Sequence, residues 1–260
     1  MNLQTALGLG GKGVISIVGA GGKTTLMYAL ARELTAAGRR VLTTTTTKIL
    51  PPAPDESPAT IIARSPREII EKASLLLEYY AHLTIASEQL PENRKLRGLE
   101  FSVIERISTS NLFDFIIIEA DGAAGRSLKV CASHEPVVYP FSDRVVGLAG
   151  LDVVGNPLTE ERVFRSALFS GITGVKIADA ITEESVSKAL IHDLSLISVT
   201  KPDSEIIAFL NKADSIERRR SGERIGGLLK KDGGALFQRI VVGTLSGEPF
   251  IHMCARADTR

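Results

Sequence analysis

The stretch that decides the fold is GVISIVGAGGKTTLMYALARELTAAG, residues 13–38. It begins with a nearly continuous run of apolar and β-branched residues, a pattern typical of a parallel strand that is covered on both faces. A glycine-rich turn and Lys23 follow, and apolar residues then recur at Leu26, Leu30 and Leu34 until Gly38 provides a stop signal. The stretch therefore predicts a central strand, a glycine loop and a helix, in that order.

Strands and helices are predicted to alternate along the rest of the chain. Strands are expected in RRVLTT (39–44), ATIIA (59–63), HLTIAS (82–87), FDFIIIEADG (113–122), DRVVGLAGLD (143–152), SEIIAFLNKAD (204–214) and QRIVVGTL (238–245), which closes the series. Helices are expected over residues 66–80, 99–108, 159–170, 181–192 and 215–231. This alternation predicts a three-layer α/β fold with a mainly parallel central sheet. We expect a single domain, residues 1–260, with insertions near 50–110 and 150–200.

Charge and cysteine content limit the functions open to the chain. The 260 residues carry a formal net charge of +1, which argues against broad binding to nucleic acid or to an anionic membrane. The one basic cluster, ERRRSGER at 217–224, contains no aromatic residue and is expected to be a solvated helix face. Cys131 and Cys254 are far apart in sequence, which favours a reducing, cytoplasmic setting. No apolar run is long enough to cross a membrane.

The segment GAGGKTT, residues 19–25, has the composition of a phosphate-binding loop between a strand and a helix. The amides of Ala20 to Lys23 are expected to bind phosphate oxygens, Lys23 to reach the terminal phosphates, and Thr24 to coordinate Mg²⁺. The predicted phosphate contacts are Gly19, Ala20, Gly21, Gly22, Lys23, Thr24 and Thr25. The alternative is a glycine turn with a solvated lysine.

This loop is shorter than the common Walker pattern. Ile17 stands where that pattern has a glycine, six residues before Lys23. The loop is similar to GTNGKTT of the Mur ligases, which activate carboxylates with ATP. This similarity points to ATP.

Two acids follow the apolar strand in IIIEADG, residues 116–122. Nucleotide enzymes place a magnesium-facing carboxylate at such a strand end. Asp121 is the preferred water-mediated magnesium partner, and Glu119 is a candidate for orienting the attacking water. The alternative is that these acids cap a loop. Together with Lys23, both are predicted to be catalytic.

The tetrapeptide NKAD, residues 211–214, ends another apolar strand. In GTPases an N-K-x-D sequence at this position reads guanine: the aspartate accepts hydrogen bonds from the base and the lysine stem lies over the ring. Asn211, Lys212 and Asp214 therefore predict a preference for GTP. A chance match remains open because Asn and Asp are common after strands.

A run of threonines, Thr43 to Thr47, lies at the end of the second strand and is followed by Lys48. It falls on the same edge of the sheet as the glycine loop. Thr45, Thr46 and Lys48 are expected to contact the nucleotide or a substrate, whereas the first threonines are also good strand formers.

The segment GRSLKVCASHEP, residues 125–136, holds further candidates. Arg126 is expected to stabilise developing charge in cis. His134 and Glu135 either bind a substrate or metal or belong to a capped loop. Lys129 lies between Arg126 and His134 in the same segment. Further along the chain, Asp152, Arg162 and Arg165 are also candidates for the site.

The ordered set VISIVGAGGKTT, VLTTTTTKI, IIIEADGAAGRSLK, HEPVV, VVGLAGLDVVGNPL and NKAD resembles the YqeC family over nearly the full chain. Those proteins are described as accessory factors for selenium-dependent molybdenum hydroxylases. The resemblance implies a P-loop NTPase-like protein of the bacterial cytosol. It also implies that the partners are a nucleotide and a molybdenum hydroxylase of the xanthine dehydrogenase kind, or the proteins that mature its cofactor.

Three functions are compatible with these motifs. The leading one is a slow Mg²⁺-dependent NTPase, with GTP slightly preferred over ATP, that acts as an accessory factor in hydroxylase maturation. The second is a small-molecule kinase or ligase with the Mur-like loop. The third is a nucleotide-gated binding module or chaperone with little turnover. Mg²⁺ with GTP or ATP is the expected cofactor set.

Overall fold

The computed structural model of the protein describes residues 1–92, 94–132, 135 and 138–256. The strands are β1 (Gly13–Gly19), β2 (Val41–Thr45), β3 (Lys48–Ile49), β4 (Thr60–Ile62), β5 (His82–Ala86), β6 (Glu88–Gln89), β7 (Leu96–Arg97), β8 (Phe115–Glu119), β9 (Leu128–Lys129), β10 (Arg144–Gly150), β11 (Val163–Phe164), β12 (Glu205–Asn211), β13 (Arg239–Thr244) and β14 (Phe250–Arg256). The α-helices are α1 (Leu3–Ala6), α2 (Lys23–Ala36), α3 (Pro66–Leu76), α4 (Phe101–Ser108), α5 (Ser166–Thr173), α6 (Glu183–Thr200) and α7 (Ile216–Gly233).

A nine-stranded sheet runs through the middle of the molecule in the order β14-β13-β12-β10-β1-β8-β2-β5-β4. Neighbouring strands are parallel except for β14, which pairs antiparallel with β13 at one edge. The strand β1 is central, as its apolar sequence predicts. Because β1, β8 and β2 are parallel, their carboxyl ends meet at one edge of the sheet, and the glycine loop leaves from there.

Helices cover both faces of this sheet. Alternate residues of β1 point to opposite faces: Val14 and Val18 pack in the core shared with α3, α4, α6 and α7, whereas Ile15 and Ile17 pack in the core shared with α2. The predicted three-layer α/β architecture of the P-loop NTPase-like kind is therefore confirmed.

The structure differs from the expected elements in several places, including α6, which continues to Thr200 instead of ending near residue 192. Two further differences concern the edge of the sheet and the start of α5. The sheet does not end with β13, because β14 adds an antiparallel edge strand. The helix expected over 159–170 begins later, at Ser166, since the carboxylate of Glu160 accepts hydrogen bonds from the amides of Arg165 at 2.8 Å and Ser166 at 2.7 Å. These bonds satisfy donors at the start of α5, and the preceding residues form β11 instead.

Two small sheets lie outside the main one. The strands β3, β7 and β6 form an antiparallel sheet, and β9 pairs with β11. Within residues 50–110, β4 and β5 extend the main sheet, and the division into one domain with insertions stays a prediction. In the described part of the chain, none of the helices combines the length and apolarity needed to span a bilayer.

Candidate functional site

The loop between β1 and α2 requires glycine at two consecutive positions. Gly21 and Gly22 have φ angles of +84° and +127°, a region that residues with a Cβ rarely adopt. A Cβ on Gly21 would lie 2.6 Å from the amide nitrogen of Gly150, and one on Gly22 would lie 2.4 Å from Nδ2 of Asn211. The loop is therefore packed tightly against the ends of β10 and β12.

The amides of this loop divide into two groups. Those of Ala20 and Gly21 donate to the carbonyls of Leu148 and Arg126, each at 3.0 Å. The first-turn amides of α2, beginning at Lys23, have no intrahelical acceptor and lie at the positive end of the helix dipole. In this conformation the amides open to an anion are therefore those of the helix start, rather than those of Ala20 and Gly21.

Lys23 is folded back over the loop and is only 5% exposed. Its Nζ donates to the carbonyl of Gly19 at 2.7 Å and lies 3.0 Å from Oδ1 of Asp121 and 3.9 Å from Oε1 of Glu119. The contact with Asp121 is electrostatic, since Oδ1 receives no aligned hydrogen bond. The two acids and the carbonyl of Gly19 thus hold Lys23 at the start of α2.

The two acids have different neighbours. Glu119 accepts a hydrogen bond from the hydroxyl of Thr24, with 2.6 Å between Oγ1 and Oε2. Burial raises the pKa of Glu119, although Lys23 and Thr24 oppose this effect. Asp121 accepts instead from the amide of Gly19 at 3.0 Å. The choice of Asp121 as the magnesium partner stays a prediction. Glu119, rather than Asp121, is the acid that lies beside Thr24, the other predicted magnesium ligand.

Behind the acids is a buried chain of charges. Nζ of Lys129 lies 2.9 Å from Oδ2 of Asp121 and 2.9 Å from Oε2 of Glu135. Arg165 donates two hydrogen bonds to Glu135, at 2.7 and 3.0 Å. This bidentate contact, opposed by partial burial and assisted by Lys129, lowers the pKa of Glu135 to about 2. Lys129 was not among the residues assigned a role from sequence, and His134 lies outside the described residues.

The threonine run joins the site through the backbone of β8. The hydroxyl of Thr45 donates to the carbonyl of Glu119 at 2.7 Å, and that of Thr46 donates to the carbonyl of Ala120 at 3.1 Å. Thr43 and Thr44 are buried within β2. The first threonines are therefore structural, and Lys48 is the exposed residue that follows them.

The NKAD segment meets the glycine loop. Nδ2 of Asn211 donates to the carbonyl of Gly21 at 2.7 Å, and its Oδ1 accepts from the amide of Leu245 at 3.1 Å. Nζ of Lys212 lies 2.8 Å from Oδ2 of Asp152. Asp214 is half exposed and pairs with Arg218 one turn along α7. Asn211 is thus a structural link between two loops.

Two cavities flank the loop. A cleft of about 940 Å³ lies beyond Lys23 and Thr24 and is lined by residues 46–50, Glu119 and residues 122–126 among others. Arg126 lines this cleft and donates to the carbonyls of Ala124 and Glu160. A second cavity of about 420 Å³ lies on the other side and is lined by Thr25, Tyr28, Glu56, Asp214 and residues 244–247, among others.

Sequence reasoning missed several residues of the second cavity. Tyr28 reads as one more apolar position of α2, and Glu56 lies in a proline-rich loop, so neither carries a local signal. The described residues contain no group of three or more His, Cys, Asp or Glu side chains suited to hold a metal ion. The oxygens of Thr24 and Glu119 are the donor type that Mg²⁺ prefers, and they fit a site that phosphate oxygens would complete.

The fold and the site define an α/β protein of P-loop NTPase-like architecture, with a lysine and two acids gathered at the start of the helix after the glycine loop. The model of the YqeC protein family matches residues 15–167. The uncharacterized protein YqeC of Escherichia coli (strain K12) is 36% identical over 181 residues, which cover 69% of this chain and 67% of the relative. The chain belongs to the YqeC family.

Proposed function

We propose that this protein binds a nucleoside triphosphate with Mg²⁺ and hydrolyses it slowly, with GTP slightly preferred over ATP. In this proposal the bound nucleotide controls its action as an accessory factor in the maturation of a selenium-dependent molybdenum hydroxylase. The observation that carries the nucleotide proposal is the convergence of Lys23, Thr24, Glu119 and Asp121 at the start of α2. The accessory role rests on the sequence resemblance alone.

Each residue of this group has a distinct role in the proposal. Lys23 leaves Asp121 and bonds to the β and γ phosphate oxygens, whose charge replaces that of the acid. The first-turn amides of α2 hold the same oxygens. The hydroxyl of Thr24 and the carboxylate of Glu119 would hold Mg²⁺, which neutralises charge that develops on the phosphates. Asp121 would keep its ion pair with Lys129 and its hydrogen bond from the amide of Gly19, and so would hold the loop in place.

The cavity of about 420 Å³ is the proposed base site. It is lined by Asp214, whose carboxylate would accept hydrogen bonds from the guanine N1 and N2 protons. The aliphatic stem of Lys212 would lie along the ring, and Asn211 would hold the glycine loop in place through its hydrogen bond to the carbonyl of Gly21. Adenine offers no donor at these two positions, which supports the preference for GTP.

Slow turnover is part of the proposal. The described lining of the large cleft contains neither glutamine nor histidine to orient an attacking water. Glu119 lines this cleft, but its carboxylate already accepts a hydrogen bond from Thr24. Arg126 is near enough to the cleft to stabilise charge once it is released from the carbonyls of Ala124 and Glu160.

Calorimetric titration with non-hydrolysable GTP and ATP analogues, each with and without Mg²⁺, tests this function. We expect Mg²⁺-dependent binding of both, tighter for GTP. Asp214→Asn should weaken binding of the GTP analogue by about 10- to 100-fold, the usual cost of a lost charge-assisted hydrogen bond, and leave the ATP analogue unaffected. Asp203→Asn, at an exposed position outside both cavities, is the matched control.

The possible outcomes separate the hypotheses. Binding of the ATP analogue alone, unchanged in Asp214→Asn, would remove the guanine assignment. Failure of both analogues to bind would refute the nucleotide proposal. Tight binding of the analogues, together with negligible phosphate release when GTP or ATP itself is supplied with Mg²⁺, would favour a nucleotide-gated binding module over a hydrolase.

The size of the larger cleft favours a second candidate function, phosphoryl transfer to a small acceptor. The cleft extends from Lys23 and Thr24 to residues 46–50, so it has room beside a γ-phosphate for another molecule. A phosphorylated product, rather than free phosphate, would distinguish this kinase or ligase activity from hydrolysis.

A further inference from the structure

The cleft of about 940 Å³ concentrates positive charge. Its described lining includes six cationic residues, Lys23, Lys48, Lys95, Arg97, Arg126 and Lys212, and one carboxylate, Glu119. The whole chain has a formal charge of only +1. Such a concentration in a concave site attracts anions and raises their local concentration.

Part of this charge is already balanced within the protein. Lys23 lies beside Asp121, and Lys212 pairs with Asp152. A bound triphosphate would be served by Lys23 and the amides of α2. Lys23 and Lys212 are therefore not available to bind a second anionic ligand.

Among the described residues, three of the other cations, Lys48, Arg97 and Arg126, lack a carboxylate of their own. Arg97 lies 3.7 Å from Glu88, whose same oxygen is also held by Arg64 at 2.7 Å. Within the part of the chain that the structure describes, Lys48 and Arg126 form no ion pair. Lys48 and Arg97, which are paired on β3 and β7, thus place positive charge on one side of the cleft. Arg126 adds charge from the segment that contacts the glycine loop, where its carbonyl accepts a hydrogen bond from the amide of Gly21.

The side of the cleft that holds Lys48 and Arg97 is formed by ordered backbone. Its small sheet, β3-β7-β6, is fastened to the end of β2 by hydrogen bonds from the amide of Gly98 to the carbonyl of Thr47 at 3.0 Å and from the amide of Leu99 to that of Thr45 at 2.9 Å. A Cβ on Gly98 would overlap the carbonyl of Thr45, so the two backbones are in close contact. Leu50 is exposed and adds apolar surface beside Lys48, whereas Ile49 is buried in the core.

We infer that Lys48, Arg97 and Arg126 form a subsite for a second ligand, a small anionic molecule with an apolar portion, bound beside the nucleotide's terminal phosphate. This inference rests on the proposed nucleotide site. The cations recognise a phosphate or carboxylate group of the ligand, and the exposed side chain of Leu50 contacts its apolar part. Arg97 suits such a group because its guanidinium can donate two parallel hydrogen bonds.

Phenyl phosphate is a suitable probe because it combines an anion with an apolar ring. The protein is first saturated with Mg²⁺ and the non-hydrolysable analogue that binds more tightly, and phenyl phosphate is then titrated in by calorimetry. We expect phenyl phosphate to bind this complex, and benzyl alcohol, its neutral counterpart, to bind at least about tenfold more weakly.

Two variants locate the binding. Lys48→Ala and Arg97→Ala should each weaken phenyl phosphate binding by about three- to tenfold, more than they weaken binding of the nucleotide analogue. Lys72→Ala, which removes an exposed lysine of α3, is the matched control and should change neither. Lys48 is exposed and contributes no core packing, so its variant is expected to fold.

Three results of the phenyl phosphate titrations would overturn the inference. The wild-type complex could fail to bind phenyl phosphate, or Lys48→Ala and Arg97→Ala could bind it as tightly as the wild type does. Phenyl phosphate could also compete with the nucleotide analogue, which would assign the whole cleft to the nucleotide. Failure of the proposed function is recognised separately, in the first titration, as absence of analogue binding, and that result overturns the subsite as well.

Discussion

Lys129 and Asp121 form an ion pair in which Nζ lies 2.9 Å from Oδ2 and the two side chains are 0% and 1% exposed. Burial by itself would lower the pKa of Lys129, but Asp121 and Glu135 hold it above its usual value. Because Asp121 also contacts Lys23 and the amide of Gly19, the pair connects the buried charges to the glycine loop. We therefore regard Lys129 as a positioning residue.

Lys129→Met should destabilise the protein by about 3–5 kcal/mol, because it leaves Asp121 and Glu135 buried without their shared cation. Denaturant unfolding followed by circular dichroism measures this loss. Lys12→Met removes the more exposed lysine that pairs with Asp114 and should cost less than about 1 kcal/mol. Equal losses in the two variants would contradict the structural role of Lys129.

The contact between Glu135 and Arg165 should make stability depend on pH in the acid range. The pKa of Glu135 is lowered in the folded state from its usual 4.5 to about 2. Its stabilising contribution is thus complete above pH 4.5 and is lost as the pH falls from 4.5 towards 2. The free energy of unfolding of Arg165→Met should be lower than that of the wild type at neutral pH, and the difference should shrink across this window. A difference that stays constant with pH would contradict the prediction.

Glu119→Gln tests which acid serves the metal. It preserves the volume of the side chain but replaces a carboxylate oxygen beside Thr24 by an amide. We expect it to weaken binding of the nucleotide analogue by about tenfold or more in the presence of Mg²⁺, and to have little effect without Mg²⁺. Calorimetry under both conditions measures this. If Asp121→Asn removes the Mg²⁺ dependence and Glu119→Gln does not, the assignment of Asp121 is correct instead.

Gly22→Ala should disturb the loop in two ways. Its φ of +127° is strained for alanine, and the new Cβ would lie 2.4 Å from Nδ2 of Asn211, which bonds to Gly21. We expect a loss of stability of about 1–3 kcal/mol together with weaker binding of the nucleotide analogue. Gly38→Ala is the control, since Gly38 also has a positive φ, +78°, but no atom within 4 Å of the added Cβ. It should lower stability without affecting binding.

His82 should remain neutral well below the usual pKa of histidine. Burial lowers its pKa from 6.5 to about 4, and its Nε2 shares a hydrogen bond of 2.9 Å with the hydroxyl of Thr43. An unfolded chain takes up the proton near pH 6.5, so this group costs stability as the pH falls from 6.5 towards 4. NMR titration of the ring should give a midpoint near the lower value. A midpoint near 6.5 would contradict the burial of His82 against β2.

The strand, loop and helix at residues 13–38 follow from the sequence because their signals are local: a continuous apolar run, glycines, and apolar residues at helical spacing. The position of Glu119 and Asp121 at a strand end is local in the same sense. Family membership was also evident from the order of these motifs, and the match over residues 15–167 confirms it.

What only the tertiary structure decided are the contacts between segments that are distant in sequence. The order β1-β8-β2 brings Glu119 to Thr24, and Asn211 meets Gly21 across 190 positions of the chain. Neither local periodicity nor composition encodes which strands become neighbours, since that depends on how helices on both faces close the core. For the same reason, the use of the Ala20 and Gly21 amides within the protein, the burial of Lys129 and the antiparallel edge strand β14 could be known only from the folded chain.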